Sequence, residues 1–210
     1  MLKTLREYFT HKDKKMRDNR WIFTSMLVGA VLSLLASFVL SVEANENAKN
    51  PNAELSCSVN IVLNCATVAA HPSATFMGFP NSFIGMMAEP VVSAVAIAGL
   101  AGVKFPRRFM FTAQIFYTAG LLFALGLLYV SMFIIQALCP WCLLVTLTTI
   151  LVWFALTRYN IREDNLYLPK KLSKRAHAWL DKDYDKLVMA ALIFVIVAGI
   201  ILKYGDGLFA

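Results

Sequence analysis

The sequence predicts an all-α integral membrane protein with five transmembrane helices. Its composition, its charge-free runs and its uneven basic charge carry that prediction. Apolar residues make up 59% of the 210-residue chain and charged residues only 16%, against roughly half and a quarter in an ordinary soluble domain. Residues 21–42, 109–157 and 187–202 contain no charge at all, and 83–103 contain only Glu89. Of the 20 Lys and Arg, seven lie in residues 1–20, three in 104–108 and eight in 158–186, which leaves Lys49 and Lys203.

The elements follow in order. Crossing a hydrocarbon core of about 30 Å takes about 20 helical residues, so 21–42 is one span. Its apolar stretch exceeds the roughly 7–15 residues of a secretory signal core. Despite the small residues of "SVEAN" (41–45), it is expected to remain as an uncleaved anchor. Residues 43–81 form an outer loop, 83–103 a second span and 104–108 a short basic turn. The run 109–157 is long enough for two spans joined by a tight turn near 134–140. In the lysine-rich segment 158–186, Leu172, Ala176 and Trp179 fall at helical spacing, which predicts an amphipathic connector at the membrane surface. The last run is short; it borrows Tyr184 and lets Lys186 and Lys203 snorkel. Basic residues stay on the cytoplasmic side, so the amino terminus and the segments 104–108 and 158–186 are expected inside. The loop 43–81, the turn near 134–140 and the carboxyl terminus are expected outside. A net charge of +7 then reflects topology and attraction to anionic lipid rather than nucleic acid.

The chemistry lies in four cysteines, Cys57 and Cys65 in the outer loop and Cys139 and Cys142 at the outer end of the fourth span. All four are expected on the oxidising side of the membrane, where disulfides persist. A structural zinc site would need four thiolates or histidines converging in a polar pocket, and these spacings do not favour it. Two structural disulfides are the plainer alternative. A Cys-x-x-Cys bridge closes so small a loop that it stabilises little, which points instead to thiol exchange. Pro140 suits the first turn of a helix, so Cys139 is placed as its cap and Cys142 one turn in. Thiols there meet the positive end of the helix dipole and ionise more readily. Phe133 and Trp141 make the surroundings apolar and aromatic, which suits a flat, lipid-soluble electron acceptor such as a quinone. Glu89, an ionisable group in lipid, is either a proton relay for such an acceptor or a protonated bystander facing the bundle.

The motifs "CSVNIVLNC" (57–65), "GFPNSFIG" (78–85), "KFPRR" (104–108) and "CPWC" (139–142) occur in that order across residues 20–160. Together they resemble the bacterial branch of the vitamin K epoxide reductase family. The rival four-span generator of disulfides carries its Cys-x-x-Cys before the loop pair, the reverse of the order here. The resemblance implies a four-helix catalytic bundle around a quinone over residues 21–157, capped by the outer loop. A basic tail (1–20), the cytoplasmic connector (158–186) and a peripheral fifth helix with a short outer tail (187–210) complete the organisation. It further implies that Cys142 lies against a menaquinone or ubiquinone ring and that Cys139 exchanges with Cys65. Cys57 faces an external partner and Asn81 hydrogen-bonds a quinone carbonyl.

Many bacterial relatives continue into a thioredoxin-like domain; this chain stops at Ala210. The partner is therefore expected to be a separate thioredoxin-fold (DsbA-like) protein. Animal members carry a Tyr four residues after the second Cys of Cys-x-x-Cys, where this chain has Thr146. That departure favours quinone reduction over epoxide reduction. The function expected is a membrane thiol–disulfide oxidoreductase supporting disulfide formation in secreted proteins. The alternatives are a vitamin K epoxide reductase proper and a non-catalytic scaffold stapled by two disulfides.

Overall fold

The computed structural model describes residues 13–50, 55, 57–58 and 60–208. The first twelve residues of the basic tail lie outside the described residues. Five helices are long and apolar enough to cross a membrane, and the described residues contain no strand longer than a single bridge. The first, α1 (Lys14–Lys49), begins where Asp13 Oδ1 accepts a hydrogen bond from Lys15 N at 2.9 Å. At 1.5 Å per residue it is about 54 Å long, well beyond the hydrocarbon thickness. Both ends therefore project past the apolar run 21–42, and the loop expected from residue 43 starts at Asn50. Past the bilayer a helix needs only good formers such as Glu, Ala and Lys, and hydropathy gives no signal there.

A short helix, α2 (Cys65–Ala70), and a 3-10 turn (Pro72–Thr75) fold the loop back over the bundle. The spans α3 (Ser82–Leu100), α4 (Arg107–Val130) and α5 (Pro140–Arg162) follow. Gly102, at φ +87°, ends α3 with a backbone turn that other residues rarely adopt. Beyond α5 lie the surface helix α6 (Lys170–Asp181) and the last span α7 (Tyr184–Leu208). Helix α6 falls within the segment 158–186, and α7 takes in Tyr184 and runs past the uncharged run 187–202 at both ends.

The helix α1 packs along α3 on one side and α5 on the other, and α4 packs on α5. The α1–α3 and α1–α5 seams are lined by small residues, because lipid is as apolar as leucine and close van der Waals contact must hold the helices together. A Cβ on Gly29 would come 2.6 Å from Val152 Cγ2, and one on Gly85 or Gly99 would strike Ser37 or the Phe23 ring. Phe23, fully buried, packs tilted against the Tyr159 ring at 5.1 Å and joins Ile22, Met26, Met110 and Val152 in the core at the end away from the cysteines. On the remaining side α3 and α4 hardly touch, and a cavity of about 630 Å³ occupies the space between them.

Two polar anchors fasten the peripheral helix α7. Near its start, buried Arg158 of α5 pairs with Asp185 at 2.7 Å and with Asp18 of α1 at 3.2 Å. Near its other end Lys203 Nζ and Tyr204 OH both donate to Met132 O, at 2.6 and 2.5 Å. Met132 lies in a π-helical turn, Ser131–Ile135, that widens the end of α4. Such turns free carbonyls from the helical ladder, and α7 supplies the donors.

The α1–α3 seam yields a prediction. Gly99→Val places methyl groups into the Phe23 ring, and overpacking of this kind costs about 1–3 kcal/mol. The variant should unfold at lower temperature in detergent. Gly126→Ala, where an added Cβ meets nothing within 4 Å, should be neutral or slightly stabilising. Equal melting temperatures for wild type and Gly99→Val would refute the packing assignment.

Candidate active site

The site is assembled where the outer loop meets the start of α5. Gln136, in the left-handed region at φ +60°, turns the chain out of the π-helical stretch. Ser131 Oγ donates to Ala137 O at 2.5 Å and holds that turn closed. Leu138 then pairs in parallel with Leu63: Leu138 N donates to Val62 O at 2.7 Å and Asn64 N donates to Leu138 O at 3.0 Å. The loop side of this bridge is shaped by two asparagines. Asn60 Oδ1 accepts from Val62 N and Leu63 N, and Asn64 Oδ1 accepts from Thr67 N at 3.0 Å to cap α2. Short polar side chains that bond nearby backbone in this way fix turns and helix starts.

A helix begins just beyond each half of the bridge. Cys65 opens α2 and Cys139 caps α5, with Pro140 in the first helical position. Their sulfurs lie 3.1 Å apart although the residues are 74 apart in sequence. Cys65 is joined to Cys57 by a disulfide, while Cys139 and Cys142 are free thiols. Cys57, Cys65 and Cys139 are all buried, within an apolar cluster that includes Leu55, Leu40 and Trp141. These three sulfurs lie within 4.8 Å of one another. Two of them are joined in the disulfide, which leaves Cys139 as the one free thiolate donor of the three.

Cys139 Sγ accepts from Cys142 N at 3.3 Å. The Cys142 thiol and the amides of Cys142 and Trp141 hydrogen-bond this sulfur, and they hold the Cys139 pKa below the usual thiol value despite burial. Charge-assisted donation to a thiolate is the ordinary route to a reactive cysteine. The cap position expected for Cys139 is therefore what the structure shows.

Below the sulfurs lies the cavity, whose wall is mostly apolar and includes Cys142, Phe116 and Val91. Glu89, Tyr117, Thr146 and Asn81 also line it. Glu89 is buried, and its Oε1 accepts from Ser33 Oγ at 3.0 Å and Tyr117 OH at 3.3 Å. Its Oε2 has no hydrogen-bond partner among the described residues. Asn81, expected to face a quinone, spends much of its amide on the loop: Nδ2 donates to Ser73 O at 2.6 Å and Oδ1 accepts from Phe76 N at 3.2 Å. Thr146 Oγ1 donates back to Cys142 O at 2.9 Å.

Three participants escape a reading of the sequence. Ser33 and Tyr117, the partners of Glu89, lie 56 and 28 residues from it. Glu43 marks the end of an apolar run in the sequence, yet its Oε2 lies 3.2 Å from Cys57 Sγ. A carboxylate ending a span next to a cysteine loop was the only signal available.

The Cys139 environment yields a prediction. With Cys57 and Cys65 replaced by Ala, alkylation of Cys139 followed by mass spectrometry should titrate below the ordinary thiol midpoint. Adding Cys142→Ala removes the largest contributor and should move that midpoint upward. An unmoved midpoint would show that Cys142 does not stabilise the Cys139 thiolate.

Among known proteins, the model of the Vitamin K epoxide reductase family matches residues 24–157. Comparison with curated proteins and with solved structures gives no match.

Proposed function

The chain belongs to the vitamin K epoxide reductase family, whose members are membrane thiol–disulfide oxidoreductases, and on that premise we propose a route for its electrons. They come from a separate extracytoplasmic thioredoxin-fold protein, pass through Cys57 and Cys65 to Cys139 and Cys142, and leave to a membrane quinone. The single observation that carries this reading is the 3.1 Å contact between Cys65 and Cys139, with Cys142 opening on an apolar cavity.

Each exchange is attack by a thiolate on a disulfide sulfur, with the other sulfur leaving. A partner thiolate attacks Cys57 and Cys65 leaves; the partner's second thiolate then closes its own disulfide and Cys57 leaves. Cys65 attacks Cys139 of the Cys139–Cys142 disulfide and Cys142 leaves. Cys57 then attacks Cys65, Cys139 leaves, and the loop disulfide is restored with two electrons now on the membrane pair. The arrangement of bonded loop cysteines and free membrane thiols corresponds to this last state. Because the inner side of Cys65 faces Cys139, attack from outside falls on Cys57.

The cavity fits a quinone in size and lining; ligand pockets usually span about 300–1,000 Å³ and are mostly apolar with a few polar groups. When bound there, a quinone supplies an acceptor for two electrons and two protons. Cys142 is the sulfur that borders the cavity, and Cys139 is its partner in the disulfide. Glu89 lines the cavity, with Oε1 fixed by Ser33 and Tyr117, and we assign it the transfer of a proton to the acceptor. Asn81 Nδ2 has a second hydrogen beyond the one given to Ser73, which we assign to a carbonyl of the bound ring.

Thr146 supports quinone over epoxide as the oxidant, since its hydroxyl hydrogen is committed to the α5 backbone. A scaffold held by two staples has no need to abut one pair against the other. The basic asymmetry of the sequence puts the amino terminus in the cytoplasm and both cysteine pairs outside.

Capture of the partner tests this reading. A reduced partner whose second cysteine is replaced by Ala cannot close its own disulfide, so after its thiolate attacks Cys57 and Cys65 leaves, it should remain joined to Cys57 in a reducible adduct of higher mass. Peptide mapping should join the partner's remaining cysteine to Cys57. A partner joined to Cys65, with Cys57 released, would contradict the order of transfer.

A further inference from the structure

Resting on the relay proposed above, we infer that Glu43 is the acid and base of Cys57, carrying one proton between the two exchanges in which Cys57 takes part. Glu43 sits on the outward extension of α1, buried at 9% exposure, with Oε2 3.2 Å from Cys57 Sγ. Cys57 is in a disulfide and its sulfur bears no hydrogen. Once Cys57 is reduced, this distance lets its S–H donate to Glu43 Oε2, so the carboxylate is placed to take that proton.

The proton balance closes on that basis. When Cys57 resolves the Cys65–Cys139 mixed disulfide, its thiol proton passes to the Glu43 carboxylate. The new Cys57–Cys65 bond forms, the Cys65–Cys139 bond breaks, and Cys139 leaves as a thiolate. In the next turnover the partner's second thiolate displaces Cys57. The Glu43 carboxylic acid returns its proton to the departing sulfur and is again a carboxylate. One negative charge enters and one leaves in each step.

The same transfer couples the two cysteine pairs. Among the described residues, Cys57 from the loop and Cys139 and Cys142 from α5 lie within electrostatic reach of Glu43. Glu46 and Lys49, paired with each other at 3.3 Å, follow along α1. A negative Glu43 opposes ionisation of Cys139. Protonating Glu43 as the loop disulfide forms lifts that opposition at the moment when Cys139 becomes the leaving thiolate.

The test is a single turnover without quinone. Protein oxidised at both pairs receives one equivalent of dithiothreitol, is quenched with acid and maleimide, and is mapped by non-reducing peptide mass spectrometry. Positioned acid–base groups contribute about 10²–10⁴-fold, so Glu43→Gln should slow resolution at least about tenfold and accumulate the Cys65–Cys139 species. Its resolution rate should climb with pH as the Cys57 thiol ionises unaided, while wild type stays nearly flat around neutrality. Glu43→Asp, which keeps a carboxyl on a shorter stem, should accumulate less of the species and keep the flat profile. Wild-type resolution in Glu43→Gln overturns the proposal. If that variant does not fold, absence of any Cys65–Cys139 species in Glu43→Asp overturns it instead. The Cys57→Ala variant separates the two claims. Failure of that variant to trap Cys65–Cys139 refutes the relay itself, whereas trapping there with unimpaired Glu43→Gln refutes only the role of Glu43.

Discussion

The backbone pairing of Leu63 with Leu138 decides where each reactive sulfur lies. Its two hydrogen bonds set the loop strand beside the entry to α5, so that the next residue along the loop side, after Asn64, is Cys65 and the next along the span side is Cys139. A slip of one residue would turn the side chains to the opposite face and part the sulfurs. Much of the outer structure serves this short bridge. Asn60 and Asn64 shape its loop strand, Ser131 closes the turn before Leu138, and α7 reaches over to hold Met132 and packs against Val62.

The membrane sets the second constraint. In lipid the helices have no hydrophobic drive to associate, so α1 carries glycine and serine where α3 and α5 approach it. That close packing on one side leaves α3 and α4 apart on the other, and the gap is the cavity. In the proposed relay, a dithiol at the mouth of this apolar cavity lets a water-borne reductant and an oil-borne oxidant share one site. Ionisable groups in such a place are costly unless they are hydrogen-bonded; Glu89 is held by Ser33 and Tyr117, and Glu43 lies against Cys57.

What the sequence made legible was local. Charge-free runs located five spans, and Pro140 after Cys139 announced the helix cap, because both depend on consecutive residues. The extension of α1 as far as Lys49 was not legible, since beyond the bilayer hydropathy no longer separates helix from loop. Glu89 stood out as a carboxyl within an apolar run, but Ser33 and Tyr117 reach it only through packing of three helices. The closeness of Cys65 to Cys139 came from resemblance to a family and not from spacing, because no periodicity spans 74 residues. Asn81 shows the same limit. Its motif marked it as a cavity residue, while its bonds to Ser73 and Phe76 reveal an equal part in bracing the loop.

The central claim is that the sulfur relay ends at Cys142 facing a quinone, and anaerobic stoichiometry tests it most directly. Purified protein in lipid nanodiscs loaded with menaquinone or ubiquinone would be given limiting amounts of a reduced thioredoxin-fold protein. Partner disulfide and hydroquinone would then be counted together. The account predicts one hydroquinone for each partner disulfide formed, and none from Cys142→Ala. Hydroquinone formed at the wild-type rate by Cys142→Ala, or partner disulfide accumulating beyond the protein's own cysteines without hydroquinone, would contradict it.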